Sequence, residues 1–171
     1  MVHPYLHEGE NVMKKAANVV EKIQCTFSMV LFIVFLICIV VQVLTRYVPF
    51  IKITWTEEIA VYSFIWAILM GAAVELKRNE HFSFEVLRGS LKGFPKLMLE
   101  LVIYALILAF GVYLTWCGYN LTNKFWSWTL TSLPGVSQRY TWSSLIVCGA
   151  TMVFYCINGI FEQIELYRKG E

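Results

Sequence analysis

Charge is what this sequence has little of. Of its 171 residues only 15% are Asp, Glu, Lys or Arg and 58% are hydrophobic, whereas a soluble domain carries about 25% charge. The shortfall is concentrated in long uncharged runs, the composition of segments solvated by lipid. A net charge of +2, with basic residues flanking the apolar runs, excludes the single basic patch that nucleic-acid binding requires. Cysteine pairing is also missing. Cys25, Cys38, Cys117, Cys148 and Cys156 lie in or at the ends of apolar runs, with no CxxC among them. Such thiols behave as small apolar groups, so neither a disulfide nor a metal site is expected.

Other absences narrow the function. Membrane haem needs histidines at depth, but His3 and His7 lie near the start and His81 between two apolar runs. There is no nucleophile–base constellation and no Gly-rich phosphate loop. Ionisable groups at mid-membrane are costly and mark transport pathways. None occurs at the centre of an apolar run; Gln42 and Glu100, the deepest polar candidates, each lie toward an end. The chain is therefore expected to be neither an enzyme nor a holder of a cofactor or ion, and to rely on a partner for any selective step.

What is present is four membrane spans, giving an all-α integral membrane protein of one domain over residues 1–171, without internal repeats. The spans are expected near 25–45, 56–76, 96–119 and 140–161. Cys25 to Leu44 is uncharged for twenty residues, about 30 Å of helix and enough to cross the hydrocarbon core. It is too long for a signal-peptide core and should stay as an anchor, ending before Pro49. Thr54-Trp55-Thr56-Glu57 fits a capping box opening the second span, where Glu57 and Glu58 also suit the positive end of the helix dipole. Pro95 suits the first turn of the third span. Gly111, Gly118, Gly149 and Gly159 would let helices approach closely, against which partner helix the sequence leaves open.

Lysine and arginine set the direction. Lys14, Lys15, Lys22, Lys77, Arg78, Arg88, Lys92, Lys96, Arg168 and Lys169 fall on one side, and Arg46, Lys52, Lys124 and Arg139 on the other. The positive-inside rule puts both termini and the middle connection in the cytoplasm. Residues 11–24 and 82–94 read as basic amphipathic helices on the inner membrane surface, in contact with phospholipid; a plain extension of the neighbouring span is the alternative for each.

Three clusters are candidate contact sites. Gln42 and Arg46 share a face at the outer end of the first span, close enough in sequence to Glu57 and Glu58 for an Arg–carboxylate pair, for a partner contact, or for ordinary interfacial charge. His81 and Glu85, beside Arg78 and Glu80, are weak as a metal site and read better as a solvated connection. Trp116, Tyr119, Phe125, Trp126, Trp128, Tyr140 and Trp142 crowd the third connection, as an outer aromatic belt or as a docking surface for an external protein.

The order Gln42-x3-Arg46, Trp55-Thr56-Glu57-Glu58, Gly71, Glu80-His81 and Glu85 on four spans resembles the small membrane subunit (DctQ or SiaQ type) of tripartite ATP-independent periplasmic (TRAP) transporters. The resemblance covers nearly the whole chain. Thr56 and Glu85 stand where that family commonly has serine and aspartate, both mild changes. The resemblance implies an accessory role in a bacterial inner-membrane symporter for organic acid anions such as sialic acid or a C4-dicarboxylate. A large membrane subunit (DctM or SiaM type) would carry substrate and sodium, and a periplasmic substrate-binding protein would deliver the solute. Gln42, Arg46, Trp55, Glu57, Glu58, His81, Glu85 and Glu100 become candidates for subunit contact or structure. Lys52, Lys124, Trp126, Trp128 and Arg139 become candidates for docking the binding protein. Because the chain ends soon after Arg168-Lys169, a separate large subunit is expected. A self-sufficient homodimeric transporter and a membrane anchor of an oxidoreductase are the competing functions.

Overall fold

A computed structural model describes residues 4–47, 54–78 and 94–169. They form four helices: α1 (Pro4–Tyr47), α2 (Trp55–Arg78), α3 (Phe94–Lys124) and α4 (Arg139–Lys169). Each contains a stretch long and apolar enough to cross a membrane. In lipid the backbone must satisfy its own hydrogen bonds, and an uninterrupted helix does so. Helix starts follow the local chemistry: α2 begins one residue after Thr54, and α3 begins with Pro95 in its first turn, where a missing N–H costs nothing.

One expectation is corrected. Residues 11–24 do not form a separate interfacial helix but continue the first span, because α1 runs unbroken for 44 residues. From Glu10 to Tyr47 there is neither glycine nor proline to stop it. At about 66 Å, α1 is roughly twice as long as the hydrocarbon core is thick. Its extension is packed against the helical body: Ala17 is completely buried in a cluster with Met70, Ala73, Cys148 and Tyr155. Ala16, Val19 and Ile23, apolar residues of this stretch, are exposed on α1. The second expected interfacial helix, 82–94, lies almost entirely outside the described residues.

The helices pack mainly in the sequence α1–α2–α4–α3, with a small direct contact between α1 and α4. Between α3 and α4 the seam is built on glycine. A Cβ on Gly149 would lie 2.6 Å from the Gly111 carbonyl oxygen and 2.8 Å from the Thr115 amide; one on Gly118 would lie 2.8 Å from Leu145 Cβ. At Gly159 the Tyr104 ring fills that space, at 2.7 Å. The glycine spacing thus serves close packing of α3 on α4. Between α2 and α4, Cys148 Sγ donates to the Leu69 carbonyl at 3.1 Å and the Trp66 indole donates to the Tyr140 carbonyl at 3.0 Å. A second cluster joins Leu76, Tyr104 and Cys156. The flank formed by α1 is bare by comparison: 6% of its most apolar window is buried, against 39% for α2.

Candidate contact sites: two polar junctions and an aromatic loop

Antiparallel packing of α1 and α2 brings the end of α2 beside the middle of α1, and the charged residues there pair. Lys77 Nζ meets the Glu21 carboxylate and Asn18 Oδ1, while Arg78 Nε donates to the other Glu21 oxygen at 2.8 Å. The side chains of Glu21 and Lys77 are only 17% and 16% exposed, which reduces the solvent screening that weakens surface pairs.

One turn further along α1, Gln24 is buried and its amide is fully used. Tyr155 Oη donates to Gln24 Oε1 at 2.6 Å, and Gln24 Nε2 donates to Thr151 Oγ1 at 3.0 Å and to Met70 Sδ at 3.4 Å. Ser28 Oγ then donates to the Ala67 carbonyl at 2.8 Å. These groups join α1 to α2 and α4 through hydrogen bonds of the kind that hold membrane helices together. None was singled out by the sequence reading. Gln24 is a lone amide at the edge of an uncharged run, and its partners are 46 to 131 residues away. The available signal was the acid Glu21 ahead of one span and Lys77-Arg78 behind the next.

At the opposite end the third connection is an ordered loop. A bridge between Thr129 and Ser137 closes it, with Leu130 N donating to the Val136 carbonyl and Gln138 N to the Trp128 carbonyl, both at 2.9 Å. Ser137 Oγ bonds the carbonyls of Trp126 and Trp128 at 3.0 and 3.2 Å. Leu130 is buried, and Phe125 stacks on Trp142 at 5.6 Å between centroids. Glu58 fixes the loop to α2, its two carboxylate oxygens accepting from the amides of Thr131 at 2.9 Å and Ser132 at 3.0 Å. Of the three readings of this cluster, the pair with Arg46 is not formed: Glu58 is engaged with the loop, and among the described residues no ion pair joins Arg46 to Glu57 or Glu58. The amides win because helix packing delivers them in a convergent pair, which a carboxylate accepts with both oxygens.

The remaining candidates separate by place. On α1, Gln42 is half-buried with its Nε2 enclosed and lacking a hydrogen-bond partner, and Arg46 is exposed. Trp55 and Glu57 are exposed at the start of α2. Glu100 is 1% exposed on α3. Lys124, Trp126, Trp128 and Arg139 are brought together by the loop: the Arg139 guanidinium lies 4.6 Å from the Trp126 ring centroid and 4.9 Å from that of Tyr140, and Lys124 Nζ lies 5.8 Å from Phe125. Trp126 and Trp128 remain 55% and 60% exposed. Lys52, His81 and Glu85 lie outside the described residues.

Comparison with known proteins adds a family. The profile of the DctQ component of tripartite ATP-independent periplasmic transporters matches residues 35–166. The Vibrio cholerae sialic acid TRAP transporter small permease protein SiaQ is 26% identical over 90% of this chain and 88% of its own length. A Haemophilus influenzae protein bearing the name TRAP transporter small permease protein is 26% identical over 79% of this chain and 83% of its own. The sialic acid TRAP transporter permease protein SiaT of Haemophilus influenzae is 24% identical over 75% of this chain, a region that makes up 21% of that longer protein.

Proposed function

Because the chain belongs to the DctQ-component family of TRAP transporters, and is thus a small permease subunit with four membrane helices, we propose that it braces a large membrane subunit that carries the solute and sodium sites. The solute is an organic acid anion of the sialic acid or C4-dicarboxylate class, and a periplasmic binding protein delivers it. The chain sits in a bacterial inner membrane with both termini in the cytoplasm, so that Glu21, Lys77 and Arg78 mark the inner end and the loop around Trp126 the outer end.

One observation carries the bracing role. Polar groups at the junction of α1, α2 and α4 are spent on one another, as in Gln24, Tyr155 and Thr151, an arrangement that ties helices together rather than coordinating a solute. Support for the partner comes from α1, whose apolar face is largely uncovered and which carries Gln42 with an unpartnered amide. A buried unmade hydrogen bond costs about 1–3 kcal/mol, a cost removed when the half-buried Gln42 side chain turns outward to an acceptor on a partner. The exposed Trp126 and Trp128, steadied by Arg139, suit the docking of the binding protein, since rigid aromatic anchors dominate protein interfaces.

Gln42→Leu separates these contributions. In the isolated chain the substitution should raise thermal stability, because it removes an unsatisfied buried donor. In detergent pull-downs with the co-expressed large subunit it should lower recovery by roughly fivefold or more, the scale of one hydrogen bond of about 1 kcal/mol. Undiminished recovery would remove Gln42 from the subunit contact. Failure of the unmodified chain to recover any large subunit would defeat the bracing role itself.

A further inference from the structure

From Leu101 to Phe161 the sequence contains no aspartate or glutamate, and its only charges are Lys124 and Arg139. Lys124 ends one apolar span and Arg139 opens the next, so both cations stand where helix gives way to the connecting loop. We infer that Arg139, framed by Trp126 and Tyr140, holds the phosphate of a membrane phospholipid at that end of the molecule.

No carboxylate of the chain neutralises these cations. Glu58, which is tied to this loop, accepts from the amides of Thr131 and Ser132 with both oxygens. Its neighbour Glu57 is exposed, and among the described residues neither Lys124 nor Arg139 forms an ion pair with it. Residues 48–53, between α1 and α2, add Lys52 and no acid. The charge at Arg139 is left for an anion outside the chain.

The guanidinium is held ready for one. It lies 4.6 Å from the Trp126 ring centroid and 4.9 Å from that of Tyr140, and Nη2 donates to Tyr140 Oη at 3.0 Å. Ser137 joins the two sides of the site: its Oγ donates to the Trp126 carbonyl at 3.0 Å and accepts from the Arg139 amide at 3.4 Å. Resting against two rings, the side chain is restricted before a ligand arrives, and preorganised donors lose less entropy on binding. Among the described residues Tyr140 Oη is the guanidinium's one hydrogen-bond acceptor. Its planar fork keeps further donors, which suit two phosphate oxygens at once.

Depth favours a lipid over a protein carboxylate. Trp and Tyr collect where hydrocarbon meets headgroups, and cations beside them reach the phosphates. Trp126, Trp128 and Tyr140 are each more than half exposed at this level. Because Trp126 keeps that exposure with Arg139 against it, a phosphate bound here leaves aromatic surface for a protein beyond the membrane. The inference concerns this chain alone and does not rest on the bracing role.

The test uses the full-length purified chain in detergent. It is titrated separately with dioleoyl phosphatidylglycerol and with dioleoyl glucosylglycerol, which has the same acyl chains and no phosphate, and native mass spectrometry reads the occupancy. The phospholipid should bind more tightly than the glycolipid, and Arg139→Gln should weaken it by about fivefold, the scale of one basic residue at a lipid surface. Arg139→Lys should weaken it roughly twofold, because a point charge replaces a fork seated on aromatic rings; it decides the matter if Arg139→Gln disturbs the fold. Equal binding of the two lipids, or phospholipid binding that every folded variant retains in full, would overturn the inference. So would a loss confined to capture of the purified periplasmic binding protein, which would assign Arg139 to a carboxylate of that protein.

Discussion

At the residue scale, the same side-chain type plays opposite parts according to what surrounds it. Gln24 and Gln42 both lie on α1, yet Gln24 is buried with a phenol, a hydroxyl and a thioether around its amide and the half-buried Gln42 has no partner for its Nε2. The first holds this chain together, and the second is the better candidate for a contact outside it. Glycine shows the same dependence. Gly71 would seat a Cβ at an ordinary 3.6 Å from Ser28 Oγ, whereas Gly149 faces Thr115 and the Gly111 carbonyl with no room for one. Gly149→Leu should therefore force α3 and α4 apart, at an overpacking cost of about 1–3 kcal/mol or more. Thermal melting in detergent should show a clear loss for Gly149→Leu and a much smaller one for Gly71→Ala. Equal losses would mean that the seam yields more readily than its distances imply.

At the element scale, the register of α1 on α2 rests on polar contacts at successive levels: Glu21 with Lys77 and Arg78, Gln24 with Met70, and Ser28 with the Ala67 carbonyl. Apolar packing alone sets register weakly in lipid, where helix faces and acyl chains are equally apolar. Glu21→Lys sets a third cation against Lys77 and Arg78 and should destabilise the chain by about 1–2 kcal/mol, between the values for exposed and buried pairs. Adding Lys77→Glu should recover at least part of that loss, the remainder reflecting Arg78. A double variant no better than the single one would show that these charges act separately. The four helices were legible in the sequence because length and apolarity suffice to specify a span. The continuity of α1 through residues 11–24 was not. An amphipathic stripe beside basic residues fits a helix on the membrane surface as well as a continuous one, and tertiary packing distinguishes them, with Ala17 buried against Met70, Ala73 and Tyr155. Glu58 was recognised as important for its charge and its place in a motif, but its loop amides lie 73 and 74 residues away, beyond any local pattern.

For the whole molecule, one feature organises the rest: α2 and α4 are covered on both sides, while α1 and α3 form the flanks. Of α1's most apolar stretch 6% is buried, so that stretch meets lipid or another protein. Reconstituted alone in liposomes, the chain should show no sodium-driven accumulation of sialic acid or a C4-dicarboxylate, and adding the large subunit and binding protein should establish it. Accumulation by the lone chain would refute the bracing role and restore the self-sufficient transporter. Composition and the positions of the apolar runs by themselves determined that this is a four-span membrane protein, and the order of its motifs determined its family, because lipid solvation and motif spacing are written locally along the chain. Which helix meets which, and where Glu58 and Gln24 find their partners, were decided only by tertiary packing, since those contacts join residues that no local interaction relates.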